Sequence, residues 1–204
     1  DSLVGQQGVP EELYQEFLSD ITEEIDRENK IITDLLSLVK MDKKAADMNI
    51  VNMNINELLE NILKRLRPIA DQRSIALILD SFRPVTADVD EVKFTLAISN
   101  LVENGIKYNV DEGWVRVTLD ADYKYFYVTV ADSGLGIPED SIERIFERFY
   151  RVDKSHSREI GGTGLGLAIT RSSIVMHHGT IKVSSKEGEG TTFNVKIPLS
   201  YISS

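Results

Sequence analysis

Apolar side chains recur with a period of seven between residues 11 and 42. Leu18, Ile25, Ile32 and Val39 hold one heptad position, Ile21 and Leu35 hold the second, and Glu28 interrupts it. So narrow a seam on a highly charged segment predicts a bundle or coiled-coil helix rather than a surface helix packed on its own domain. Residues 5–10 read as a loop, with Pro10 near the helix start. Residues 43–53 are polar and unpatterned and read as a linker. Beyond it the pattern changes. Leu58, Leu59, Ile62, Leu63 and Leu66 share one side of a helix over 56–73, and 75–79 is a short apolar strand. Asp88, Val89, Asp90 and Glu91 read as a capping box opening a helix to about Tyr108. Residues 115–119 and 125–130 alternate as the strands of a hairpin, 165–178 is helical, and 180–185 and 191–197 are strands around Gly188, Glu189 and Gly190. The stretch 138–161 is long and polar, with one aromatic knot at Phe146, Phe149 and Tyr150. Helices mixed with hairpins predict an α+β fold, a two-layer α/β sandwich, preceded by the long helix. The expected division is 1–42 for the bundle helix, 43–53 for the linker and 54–204 for the sandwich.

Composition narrows the function classes. Of 204 residues, 42% are hydrophobic and 27% charged, as in globular domains. No apolar run approaches the roughly 18–20 residues of a membrane-spanning helix. The first residues lack the basic flank and apolar stretch of a secretory leader. A membrane anchor, if the whole protein has one, is expected outside these residues. The absence of cysteine excludes disulfides, thiolate metal sites and thiol catalysis. A net charge of −10 argues against nucleic acid as a partner, yet permits a single triphosphate held by a few local donors.

Three segments carry candidate chemistry. Asp132-Ser133-Gly134-Leu135-Gly136-Ile137 follows a strand. A carboxylate there accepts hydrogen bonds and cannot donate them, which suits the amino group of adenine and opposes the oxygen of guanine. Alone, the segment is equally an ordinary turn. Gly161-Gly162-Thr163-Gly164-Leu165-Gly166-Leu167 opens a helix. Its glycines free backbone N–H groups to converge on an anion, and the helix N-terminus adds positive potential. It matches neither the P-loop nor the dinucleotide spacing. In the third segment, Asn100, Asn104, Lys107 and Tyr108 recur at spacings of three and four on one helical stripe. Such a stripe is too polar for a core face; it is a solvated face or a ligand face. An amide oxygen can ligate Mg²⁺ and a lysine can offset phosphate charge.

Together these segments resemble the catalytic and ATP-binding domain of sensor histidine kinases, in the wider group with gyrase B, Hsp90 and MutL that shares the Bergerat-type fold. Residues 100–108 look like the asparagine box, 132–137 the first glycine box, and 146–151 the phenylalanine box. Residues 162–167 look like the second glycine box and 188–193 the closing glycine segment, all in the family's order. The helix over 11–42 is similar to the second helix of the dimerisation and phosphotransfer domain. The resemblance implies ATP and Mg²⁺ as ligands. Asn104 would bind the metal, supported by Asn100. Lys107 would contact phosphate, and Tyr108 would pack near adenine or ribose. Asp132 would read the adenine amino group with help from Thr192, beside Gly134, Gly136 and Ile137. Gly162, Thr163, Gly164, Leu165 and Gly166 would hold the phosphates, and Arg151 would reach the γ-phosphate under a mobile lid over 138–161. Asn100 stands where hydrolysing relatives place a glutamate, which favours phosphoryl transfer to a side chain over hydrolysis. Gly105 departs from the usual alanine, with a slightly weaker helix expected.

The resemblance further implies a cytoplasmic domain, a homodimer in the full-length protein and a response-regulator receiver domain as partner. The acceptor histidine is missing: His156, His177 and His178 lack the expected flanking motif. The chain is therefore expected to begin in the turn after the first bundle helix. A nucleotide-sensing module without transferase activity is the other reading the sequence leaves open.

Overall fold

The computed structural model describes residues 10–42, 48–152 and 162–202. Helix α1 (Glu11–Asp42) is followed by β1 (Ile50–Asn54), α2 (Ile55–Gln72), β2 (Ala76–Ser81), β3 (Thr86–Asp90), α3 (Glu91–Lys107), β4 (Trp114–Ala121), β5 (Tyr125–Asp132), α4 (Gly166–Met176), β6 (Thr180–Lys186) and β7 (Gly190–Pro198). A five-stranded sheet runs in the order β2-β4-β5-β7-β6; β2 and β4 are parallel and the other neighbours antiparallel. Strand alternation sends Val115, Val117 and Leu119, Phe126, Val128 and Val130, and Phe193, Val195 and Ile197 into one core. Helices α2 and α3 cover that face, with Leu59, Ile62, Phe94, Ile98, Leu101 and Ile106 fully buried. This is the expected two-layer sandwich.

Two local readings change. Residues 50–54, all but Asn54 within the expected linker, form β1 and pair antiparallel with β3 in a two-stranded ribbon. No residue of β1 is fully buried, and its sequence carries no apolar alternation. The helix expected from a capping box at Asp88 instead begins after Asp90, whose carboxylate accepts from the Lys93 N–H at 3.0 Å. Asp88 and Val89 are spent as strand residues, and position three of the helix is Lys93, so no reciprocal box exists.

Helix α1 packs on α4 through a small apolar cluster of Leu38, Leu165, Ala168 and Ile169, flanked by Leu35 and Leu96. Its heptad residues Leu18, Ile21, Ile25, Ile32 and Val39 remain exposed. The seam therefore lies off the sandwich, with Leu35 the one seam member turned toward it.

His177, at the end of α4, joins the two helices that frame the site. It is buried against Phe94. Its Nε2 accepts from the Asp90 N–H at 2.9 Å, and Nδ1–H donates to the Ser173 carbonyl at 2.7 Å. Burial holds its pKa below the ordinary 6.5. Its contribution to stability is complete above pH 6.5 and is lost as pH falls through the depressed folded value. Denaturant titrations of wild type and His177→Leu should show wild type losing stability relative to the variant below pH 6.5. At neutral pH the variant should be less stable by roughly 1–3 kcal/mol, because the Asp90 N–H is left without an acceptor.

Candidate functional site

A cavity of about 680 Å³ opens between α3, the end of β5, the β6–β7 turn, the start of α4 and α1. One end is built on Asp132, the last residue of β5. Register sets it opposite Val115 on β4 and Thr191 on β7. Its Oδ1 accepts from the Gly134 N–H at 2.8 Å and the Thr191 N–H at 3.3 Å. Both bonds fall on one oxygen, so Oδ2 is left to accept from a ligand. Burial pushes the carboxyl up to about 6, against the lowering effect of those two backbone bonds. Gly136 lets the following chain pass: its φ is +71°, and a Cβ there would lie 2.0 Å from the Lys186 carbonyl oxygen. The β6–β7 turn closes on it, with the Gly188 N–H donating to the Leu135 carbonyl at 2.7 Å.

The other end is built on α3 and the glycine turn before α4. Asn100, Asn104, Lys107 and Tyr108 all line the cavity, as their spacing on one helical stripe requires. Asn100 Nδ2 donates to the Gly166 carbonyl at 3.2 Å, which leaves its Oδ1 as the available acceptor. The Asn104 carboxamide makes no hydrogen bond among the described residues. Lys107 lies 3.9 Å from Glu103, and burial holds its ammonium below the usual lysine pKa although Glu103 opposes the shift. Gly162, Thr163, Gly164 and Gly166 line the cavity with Arg151. A Cβ on Gly162 would stand 3.1 Å from the Tyr108 hydroxyl. Gly164 takes φ +73° against the Phe149 backbone and accepts from the Phe149 N–H at 2.9 Å. That bond joins the two flanks of the expected lid. The near flank is anchored by Phe146 edge-on to Phe193 and by Tyr150 donating to Ser141 at 3.0 Å.

Three expected site residues do not line the cavity. Thr192 is displaced by strand parity: Thr191 and Phe193 face the cavity, so Thr192 lies on the opposite side of β7, and Thr191 is the neighbour of Asp132. Leu165 is fully buried in the α1–α4 cluster. Gly134 sits behind the wall, where a Cβ would lie 2.3 Å from the Tyr108 carbonyl oxygen. Gly105 does more than loosen a helix: a Cβ there would lie 3.0 Å from Val115 Cγ2, so its absence lets α3 approach β4. Of the histidines, His177 is engaged at both ring nitrogens and His178 stacks on Tyr201; His156 lies outside the described residues. Lys30 and Asp34 of α1, Glu103 and Thr191 also line the cavity, beyond the residues that the sequence motifs single out.

The donor set fits Mg²⁺ only in company. Among the described residues no group of three or more His, Cys, Asp or Glu could hold a metal. Two amide oxygens one helical turn apart fit an ion that keeps waters and takes its remaining ligands from phosphates.

Residues 89–201 match the histidine kinase-, DNA gyrase B-, and HSP90-like ATPase family. The sensor histidine kinase WalK of Bacillus subtilis (strain 168) is 34% identical over 184 residues, 89% of this chain and 30% of that protein. The sensor protein kinase WalK of Staphylococcus aureus is 33% identical over 94% of this chain and 46% of its own length. The chain thus spans less than half of these curated relatives. Among solved structures, the nucleotide-free catalytic domain of histidine kinase ThkA superposes with a TM-score of 0.67 at 28% identity, covering 75% of this chain and 97% of that one. ThkA in complex with response regulator protein TrrA gives 0.76 at 25% identity, covering 95% and 53%.

Proposed function

The chain belongs to the histidine kinase-, DNA gyrase B-, and HSP90-like ATPase family, and from that premise we propose that it is the ATP-binding catalytic domain of a sensor histidine kinase, transferring the γ-phosphoryl group of ATP to a histidine on another segment. The observation that carries this reading is one cavity with an adenine-type acceptor, Asp132, at one end and a phosphate-type end opposite. There Asn100, Asn104, Lys107 and Arg151 gather around the 162–166 turn.

Each residue has work that its geometry supports. Asp132 Oδ2 accepts from the adenine amino group while Oδ1 stays fixed by Gly134 and Thr191. Tyr108 and Ile137 wall the base and ribose. Backbone N–H groups at the start of α4 meet the phosphates. Asn104, with Asn100 beside it, would hold Mg²⁺, which would neutralise charge on the phosphate oxygens. Lys107 and Arg151 take up charge that shifts during transfer. Asn100 cannot act as a base toward water, so transfer to an imidazole is favoured over hydrolysis. The exposed heptad seam of α1 supports pairing with further bundle helices in a homodimer. The likeness to ThkA bound to TrrA supports a response-regulator receiver domain as the next acceptor. No helix among the described residues is long and apolar enough to cross a membrane; a cytoplasmic placement, with any anchor elsewhere in a longer protein, is part of the proposal. In this reading α1 belongs to the bundle, and β1, which pairs with β3, belongs to the sandwich.

Incubation with γ-labelled ATP, Mg²⁺ and a separate polypeptide carrying an acceptor helix should give an acid-labile, base-stable phosphohistidine on that polypeptide. Binding of ATP with no transfer would favour a nucleotide-sensing module, and steady phosphate release without an acceptor would favour a hydrolase.

A further inference from the structure

We propose that Lys30, on helix α1, is a phosphate-binding residue of the nucleotide site, held at the cavity by the hydrogen bond between Asp34 and Thr163. The inference rests on the nucleotide reading above and extends the site to an element outside the sandwich.

Residues 30, 34 and 38 succeed one another at a spacing of four and so share one face of α1. Leu38, at the lower end of this stripe, is buried against Leu165, Ala168 and Ile169 of the α4 region. One turn up, Asp34 Oδ2 accepts from the Thr163 hydroxyl at 2.8 Å, and the same hydroxyl oxygen accepts from the Leu165 N–H at 3.2 Å. The helix is thereby fastened to the glycine turn that faces the phosphates. One further turn up is Lys30, and both Lys30 and Asp34 line the cavity.

The charges around this end are unevenly matched. The cations lining the cavity among the described residues are Lys30, Lys107 and Arg151. Lys107 is answered by Glu103, whereas Lys30 makes no ion pair among the described residues. Its charge also reaches the Lys107 ammonium, where it adds to the lowering that burial causes. Two ammonium groups lining one cavity, beside the glycine turn that opens α4, favour an anion between them. A nucleotide gains from Lys30 in proportion to the charge beyond its α-phosphate. Asp34 opposes that charge, so it fastens the helix at some cost in affinity.

The test is calorimetric titration of the intact chain with AMP, ADP and ATP in the presence of Mg²⁺. Lys30 is exposed, and Lys30→Gln should melt as wild type does. Its Kd for ATP should rise about 3- to 10-fold, that for ADP less, and that for AMP not at all, with a shallower salt dependence for ATP. Lys30→Arg should stay near wild type. Asp34→Asn, which keeps an oxygen acceptor for Thr163 but loses the charge, should bind ATP more tightly. An unchanged ATP affinity in Lys30→Gln, or equal weakening of AMP and ATP, would overturn the assignment. A wild-type chain that binds no ATP would instead overturn the nucleotide reading itself.

Discussion

Replacing Asp132 with asparagine should weaken ATP binding roughly 10- to 100-fold while making the unliganded domain more stable. The first effect follows from hydrogen-bond polarity. A carboxylate offers only acceptors, and a bond from the adenine amino group to a charged acceptor contributes about 1.5–3 kcal/mol. The asparagine NH₂ would face another donor whenever its oxygen is kept by the Gly134 and Thr191 N–H groups. The second effect follows from desolvation. The folded-state pKa of about 6 lies above the ordinary 3.8, so Asp132 contributes most stability below pH 3.8, and that contribution is lost as pH rises through 6. The shift corresponds to about 3 kcal/mol at 1.36 kcal/mol per unit. Water reaching the cavity screens the group, and about 1–2 kcal/mol is the reasonable gain for the variant at pH 7.5. Thermal melts should show a rise of roughly 3–6 °C. The same ionisation predicts that wild-type ATP affinity falls below pH 6, by at most about tenfold per pH unit, and that this dependence disappears in Asp132→Asn. A variant that loses both stability and binding would mean that Asp132 acts as a scaffold residue.

Asn104→Ala should do the reverse: leave the fold intact and remove the metal-dependent part of binding and transfer. The carboxamide has no hydrogen bond among the described residues, so its loss orphans nothing, and alanine improves helix propensity. What is lost is an amide oxygen one turn from Asn100, in a cavity where the described residues offer a metal no cluster of three or more carboxylates or histidines. A Mg²⁺ held there would neutralise phosphate charge, which phosphoryl transfer needs. Transfer to an added acceptor should therefore fall at least about 100-fold, on the scale of other losses of transition-state charge stabilisation. Adding Mg²⁺ should tighten ATP binding in wild type and have little effect in the variant, while AMP affinity stays the same. An equal loss for AMP and ATP would place Asn104 at the base or ribose rather than at the metal.

The parts of this site legible in the sequence are those whose chemistry is local. Asn100, Asn104, Lys107 and Tyr108 share a stripe because one helix carries them, and the 162–166 turn announces itself by glycine spacing. Asp132 is legible as a strand end before two glycines. What escaped depends on parity or on distant packing. Thr191 rather than Thr192 meets Asp132 because the β5–β7 register and pleat decide which of two adjacent threonines faces inward. Lys30 and Asp34 lie far along the chain from the glycine turn, and the packing of Leu38 on the α4 region together with the Asp34–Thr163 hydrogen bond brings them to it. Strand β1 was hidden because a half-exposed two-stranded ribbon needs little apolar sequence, and Asp88 and Asp90 imitate a cap that only Asp90 supplies. The heptad seam was legible as a surface needing partners, and its exposure in this chain is what that reading requires.

The central claim, that one cavity binds ATP with its base at Asp132 and its phosphates at Asn104 and the 162–166 turn, is tested most directly by calorimetric titration of the wild-type chain with ATP and GTP, each with and without Mg²⁺. Saturable one-to-one binding of ATP, strengthened by Mg²⁺, is expected, with GTP at least about tenfold weaker because the exocyclic O6 carbonyl oxygen of guanine meets a carboxylate. Equal affinities for ATP and GTP, or ATP binding indifferent to Mg²⁺, would contradict it.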